Sequence, residues 1–207
     1  MVTRTSRLGT VLPTFKLASP KPGLKSSRTL QWNYQVGDQE NYKCPSAERL
    51  VVIMPESERE FHRRAARECF NETWNYLDKK DRVEEDDRRM LHLAHASRFH
   101  WGFVGKPENL AVGDWQITRA YAALDQPQLA LHFAKSALDI CQKNDLSEIL
   151  ISAYEGMARA YATAKDYSSA RNYVNKAREQ LGVSDVEDED NKIYSDQIRV
   201  TEEIIVK

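Results

Sequence analysis

The sequence predicts an all-α fold: a right-handed stack of about three helical hairpins over residues 55–207, preceded by a segment of different character. Three observations carry this. Arg119-Ala120-Tyr121-Ala122 returns letter for letter as Arg159-Ala160-Tyr161-Ala162. The same offset of 40 pairs Ala130 with Ala170 and Ala137 with Ala177, so small residues recur at helical spacing. From Pro55 onward no β-branched alternation or hairpin turn signal competes with the helical pattern. A repeat of this period belongs to stacked helical hairpins, each too small to bury its apolar face alone.

Residues 1–54 form the first region. Up to residue 53 they hold four of the seven prolines and a net charge of +5, against −6 for the remainder of the chain. They show neither helical nor strand periodicity, and such a segment buries too little apolar surface to offset its ordering entropy. Disorder is the expectation. A targeting peptide fits, because no acidic residue precedes Asp38; so does a flexible tail, and so does a true initiator at Met54.

The helices follow in order. Pro55 opens the first, about 56–79, with Phe61, Ala65, Cys69, Trp74 and Leu77 on its apolar side. Asp81 is expected to cap the second, about 82–104, whose acidic first turn suits the positive end of the helix dipole. Gly105 stops it, and Pro107 opens the third, about 107–124. Pro127 opens the fourth, about 127–143, where Ala130, Phe133, Ala134, Ala137, Leu138 and Cys141 make one amphipathic face. Ser147 caps the fifth, about 148–164. Asp166 caps the sixth, about 167–181, and Gly182 ends it. Asp185–Asp190 reads as a solvated loop before a last helix, about 190–205.

Composition excludes several function classes. Thirty basic residues balance 31 acidic ones, so no global field favours nucleic acid. No apolar run approaches the ~20 residues that a membrane span needs. Cys44, Cys69 and Cys141 are odd in number and lack C-x-x-C spacing, which suits reduced thiols in the cytoplasm. No G-x-S-x-G, phosphate-cradling loop or H-E-x-x-H occurs. His92 and His95 stand at i, i+3 without a carboxylate cluster, so no metal centre and no cofactor are expected. Asn71-Glu72-Thr73 matches a glycosylation sequon by pattern only, within a predicted helix.

Residues 111–144 and 151–184 resemble tetratricopeptide repeats, whose signature is large–small–aromatic on one helix and small–large–small on the next. The second copy carries Tyr154, Met157, Ala158, Tyr161, Tyr167, Ala170, Val174 and Ala177 at those positions. The first carries Ile117, Tyr121, Ala130 and Ala137, with Thr118 in place of a smaller residue and Trp115 one place out of register. Alanines at the crossing let helices approach, while aromatics fill the groove between hairpins. The period exceeds the usual ~34, and the six extra residues, Asp145–Leu150, fit a longer hairpin-to-hairpin connection with extended helices. The stretch from His95 to Tyr121 is also similar to a group of bacterial proteins of uncharacterised function, which adds no chemistry.

The resemblance implies a concave groove lined by Val112, Trp115, Arg119 and Ala122, and by Ser152, Glu155, Arg159 and Ala162. Arg119 and Arg159 would sit at equivalent places on neighbouring hairpins, suited to a carboxylate. Trp115, one turn from Arg119, would add a cation–π wall. Glu155 is placed to pair with Arg159 at i, i+4. The second helix is apolar almost all round, so burial on several sides is expected, with His95, Arg98 and His100 satisfied by Asn109, Asp114 or Gln116. The expected function is a cytoplasmic protein- or peptide-binding module that is not an enzyme and that takes an acidic or carboxylate-bearing segment, with a homodimer allowed. The second reading is a small helical ligand sensor or metal-dependent enzyme using the His95, Arg98 and His100 region.

Overall fold

A computed structural model describes residues 54–206. Readings that concern residues 1–53, Cys44 among them, lie outside the described residues. Seven helices occupy the described chain: α1 (Glu56–Leu77), α2 (Glu84–Val104), α3 (Pro107–Ala123), α4 (Pro127–Lys143), α5 (Ile149–Thr163), α6 (Tyr167–Val183) and α7 (Asp188–Val206). The fold is all-α. Consecutive helices pair as three hairpins, α1 with α2, α3 with α4 and α5 with α6. α3 packs on both α1 and α5, and α5 on α7, so the odd-numbered helices form one row and the even-numbered helices back it. α7 closes the stack against α5 and α6.

The alanines explain the close hairpin crossings. Ala130, Ala137, Ala170 and Ala177 are all sealed from solvent, as are Ala120, Ala158 and Ala160 on the facing helices. A methyl group at each crossing lets two helices pack nearly backbone to backbone. Aromatic stacks fill the space beside them: Tyr121 on Phe133 and, 40 residues on, Tyr161 on Tyr173, each at 5.6 Å and 14°. The offset in sequence is therefore also an offset in packing.

It extends to the turns. After α3, Asp125 N donates to Ala122 O and Gln126 N to Tyr121 O; after α5, Lys165 N donates to Ala162 O and Asp166 N to Tyr161 O. This is the Schellman arrangement, which satisfies the last carbonyls of a helix through one left-handed residue. That residue is Asp125 (φ 53°) in one turn and Lys165 (φ 61°) in the other, and Asp145 (φ 53°) bends the chain after α4. The longer period is spread over 17-residue helices and a connection of Asn144–Glu148, so the extra residues do not all lie in one loop.

Several local expectations are corrected. Asp81 does not cap α2; the boundary lies at Val83, whose N–H donates to Asp86 Oδ2 at 2.9 Å. Ser147 does not cap α5, because the helix starts after Glu148 and no side chain caps it. Gly182 lies inside α6, which runs one residue further. Asp188, Glu189 and Asp190 are the first turn of α7, where their charges face the positive end of the dipole, and are not loop. Asp166 does cap α6, accepting from Ser169 N at 3.1 Å.

The inward face of α1 is also different. His62, Ala66 and Thr73 are buried, while Phe61 is 50% exposed. α2 is not buried on several sides: Met90, Ala94 and Ser97 face inward, and Phe99 and Phe103 stand open at 61% and 49%. Thr73, the hydroxyl of the sequon, is sealed inside the hairpin and donates to Cys69 O. The helices with almost no free face are α3 and α5, as their central position in the row requires.

Lys165 occupies the left-handed region that favours glycine. Replacing Lys165 with Gly should raise unfolding free energy by about 0.5–1 kcal/mol in urea melts, since the Schellman turn is retained and the Cβ penalty removed.

Candidate functional site

The inner helices bring Trp115, Arg119, Glu155 and Arg159 into one cluster. Glu155, on α5, is 1% exposed, and four donors converge on its carboxylate. Trp115 Nε1 donates to Oε2 at 2.7 Å. Arg119 Nη1 reaches Oε1 at 3.1 Å and Arg159 Nε reaches the same oxygen at 2.9 Å. The Thr201 hydroxyl, from α7, also donates to Oε1 while accepting from Arg159 Nη2 at 2.7 Å. Three helices meet at one carboxylate.

Sequence equivalence places these groups. Trp115 and Glu155 are 40 apart, as are Arg119 and Arg159, so one repeat supplies a donor where the next supplies the acceptor. Gly156 lets the Trp115 ring approach: a Cβ there would meet Trp115 Cδ1 at 3.0 Å. Arg119 packs against two neighbouring indoles, its Cζ 5.2 Å from the Trp115 ring centre and 5.3 Å from Trp74 of α1, with the two ring centres 5.7 Å apart. Trp74 is the member that links α1 to the cluster.

Electrostatics follow from burial. Burial is the largest influence on Glu155 and opposes ionisation, but Arg159 and Arg119, with bonds from Thr201 and Trp115, outweigh it and lower its pKa from 4.5 to about 2. Burial lowers the Arg119 pKa to about 10, with Glu155 opposing, so Arg119 remains a cation at neutral pH. One carboxylate against two guanidinium groups leaves one positive charge in excess.

A cavity of about 460 Å³ opens beside this cluster. Arg119 and Arg159 line it, with Ala122 and Ala162 between them, Trp74 and Leu77 from α1, and Val200 and Ile204 from α7. Asp78, Ala123, Asp125, Thr163, Lys165 and Tyr167 complete the lining. Among the described residues, Arg119 Nε and Nη2 and Arg159 Nη1 make no hydrogen bond, and none is a sealed atom. The structure divides the eight inner positions. Arg119, Ala122, Arg159 and Ala162 line the cavity, whereas Trp115 and Glu155 lie beneath it as support. Val112 belongs to another cavity, near Trp101 and Asn109, and the Ser152 hydroxyl lies 3.4 Å from Gln197 Oε1.

The second constellation does not converge. His95 Nε2 meets Tyr121 Oη at 3.0 Å, and Arg98 Nε donates to Asp114 Oδ1 at 2.7 Å. His100 Nδ1 faces His62 Nδ1 at 2.7 Å, and Asn109 Oδ1 accepts from Lys106 N at the start of α3. Gln116 donates to Phe70 O. Only the Arg98–Asp114 pair joins the expected partners. Each group has its own neighbour because α2 presents one narrow buried face.

Neither described thiol is placed for nucleophilic chemistry. Burial pushes Cys141 up to about 12 and raises Cys69 as well, with Glu72 and Glu68 adding to the latter. Among the described residues no three metal-ligating side chains gather, and no helix is long and apolar enough to cross a membrane.

Sequence reasoning named Trp115, Arg119, Glu155 and Arg159 but missed Thr201, Tyr167 and Lys165 as neighbours. Thr201 belongs to a helix outside the repeat, so no offset points to it. The 40-residue spacing to Glu155 was the one signal for the Trp115 bond. No protein-family model, curated protein or solved structure matches the chain.

Glu155→Ala should destabilise the fold by about 3–5 kcal/mol in denaturant melts, because it leaves two buried guanidinium groups unpaired. The pH dependence has a definite sign. Because the folded value lies below 4.5, the carboxylate's contribution is complete above about pH 4.5 and is lost as pH falls towards about 2. Glu155→Gln should flatten the stability–pH curve across that window. Gly156→Ala gains helix propensity of about 1 kcal/mol, yet displacing the pinned indole should produce a net loss of about 1–2 kcal/mol and a shift in tryptophan fluorescence.

Proposed function

We propose that residues 55–207 are a tetratricopeptide-like binding module, and that the cavity over Arg119 and Arg159 receives a carboxylate-bearing protein or peptide segment. The observation that carries this is the pair of half-satisfied arginines. Glu155 holds both side chains in place, yet each keeps N–H groups without a partner on a residue that lines the cavity. A guanidinium group fixed beforehand loses little freedom on binding an anion, and charge-assisted bonds are the strong ones.

The rest of the lining limits the ligand. Trp74, Leu77, Val200 and Ile204 offer apolar walls, and Ala122 and Ala162 leave room for close backbone approach. Asp78 and Asp125 disfavour a polyanion. A segment with one carboxylate and apolar flanks fits this pattern. The cavity volume corresponds to a few residues of peptide, so recognition of a short segment is the reading.

Arg119 and Arg159 are poor choices for a binding test, since both also anchor Glu155. Ala122→Glu sets a competing carboxylate against the open N–H groups and Lys165→Glu reverses a charge of the lining, and neither removes a group bonded to Glu155. The full chain should bind carboxylate-ended apolar peptides from a random library. Each variant should weaken binding at least tenfold, about 1.4 kcal/mol, with a melting temperature near that of the parent. Equal binding of the same peptides in amidated form would sink the carboxylate assignment.

A further inference from the structure

At the first hairpin, away from the arginine cavity, His62 of α1 and His100 of α2 turn the same ring atom towards each other. Their Nδ1 atoms are 2.7 Å apart, with ring centres at 5.0 Å and planes tilted by 48°. Two nitrogens at this separation can share only one proton, one ring donating and the other accepting. Among the described residues neither Nε2 has a hydrogen-bond partner, and neither is sealed from solvent. Each ring is therefore free to carry its proton on Nε2. In that state two Nδ1 lone pairs point at one place.

The surroundings hold the rings there. Phe103 stacks on His62 at 4.3 Å, and Phe61 meets His62 and His100 edge-on at 5.5 and 5.7 Å. Phe99 meets His100 edge-on at 5.6 Å. His62 is 9% exposed, whereas Phe61, Phe99 and Phe103 are about half open to solution. The result is a pair of nitrogen donors inside an aromatic wall with a route to solvent.

We infer that His62 and His100 form a two-nitrogen binding site for a borderline transition-metal cation of the Zn²⁺ class. The cation takes the place of the shared proton between the two Nδ1 atoms. Zn–N bonds of about 2.0–2.1 Å at a tetrahedral angle set the nitrogens about 3.4 Å apart. The rings must part by roughly 0.7 Å from their present separation, a movement that small side-chain rotations on two helices can supply. The donor set selects imidazole-seeking cations over Mg²⁺ and Ca²⁺, which require oxygen. No third His, Cys, Asp or Glu joins the pair among the described residues, so water completes the coordination and the metal exchanges. The site is independent of the arginine cavity.

The test uses the untagged full chain and Zn²⁺ alone. Calorimetric titration should give one Zn²⁺ lost at least tenfold in affinity on His62→Gln or on His100→Gln. His92→Gln combined with His95→Gln should leave that binding unchanged. Nitrogen-15 imidazole spectra of the parent protein give a second readout that needs no variant. On Zn²⁺ addition the Nδ1 signals of His62 and His100 should both move to metal-bound positions. Absence of binding, a response at Nε2 only, or loss of binding in the His92/His95 variant would overturn the assignment.

Discussion

Glu155 carries a negative charge almost wholly removed from water, and the inner row of helices is organised around that charge. A buried carboxylate is tolerable only where hydrogen bonds and opposite charge replace its hydration. Here α3 supplies Trp115 and Arg119, α5 supplies Arg159, and α7 supplies Thr201. The bonds are directional, so they constrain the register of α5 against both neighbours in a way that interchangeable alanine and leucine contacts do not. Such a cluster contributes specificity of packing more than net stability, because the desolvation of three ions offsets much of their attraction.

Two members of the cluster, Arg119 and Arg159, also line the cavity. Two arginines against one carboxylate leave one positive charge in excess in the cluster, with Asp78 and Asp125 as opposing charges on the cavity lining, and the shared anchor holds both guanidinium groups. Trp74 and Trp115, in contact with each other, both pack against Arg119. Under the proposed function, structural and binding roles fall on the same side chains, with unlike atoms serving each: Nη1 of Arg119 and Nε of Arg159 face Glu155 and Nη2 of Arg159 meets Thr201, while Nε and Nη2 of Arg119 and Nη1 of Arg159 make no hydrogen bond among the described residues. α7 serves both as the end of the stack and as one wall of the cavity, through Thr201 on one face and Val200 and Ile204 on another.

The first hairpin is built differently. Its buried face is narrow and polar in places: the Ser97 hydroxyl donates to Ala66 O, and His62 meets His100. Phe61, Phe99 and Phe103 remain open at its outer surface. Small residues are also sealed here, Ala66 on α1 and Ala94 and Ser97 on α2. Its polar contacts add direction to the small-residue packing of α1 against α2.

Much of this was legible in the chain. Proline at helix starts, the amphipathic spacing of α4 and the 40-residue offset are local or periodic signals, and they determined the helices, their pairing and the equivalence of Arg119 with Arg159. Capping was less legible, since whether Asp81 or Asp86 serves α2 depends on a turn of only a few residues. The character of Glu155 could not be read at all. At i, i+4 from Arg159 it looks like half of a surface pair, and only the packing of α3 and α7 against α5 removes it from water. The same holds for Thr201 and for His62 facing His100. Each lies far along the chain from its partner, with no period connecting them, so tertiary structure alone decided those contacts.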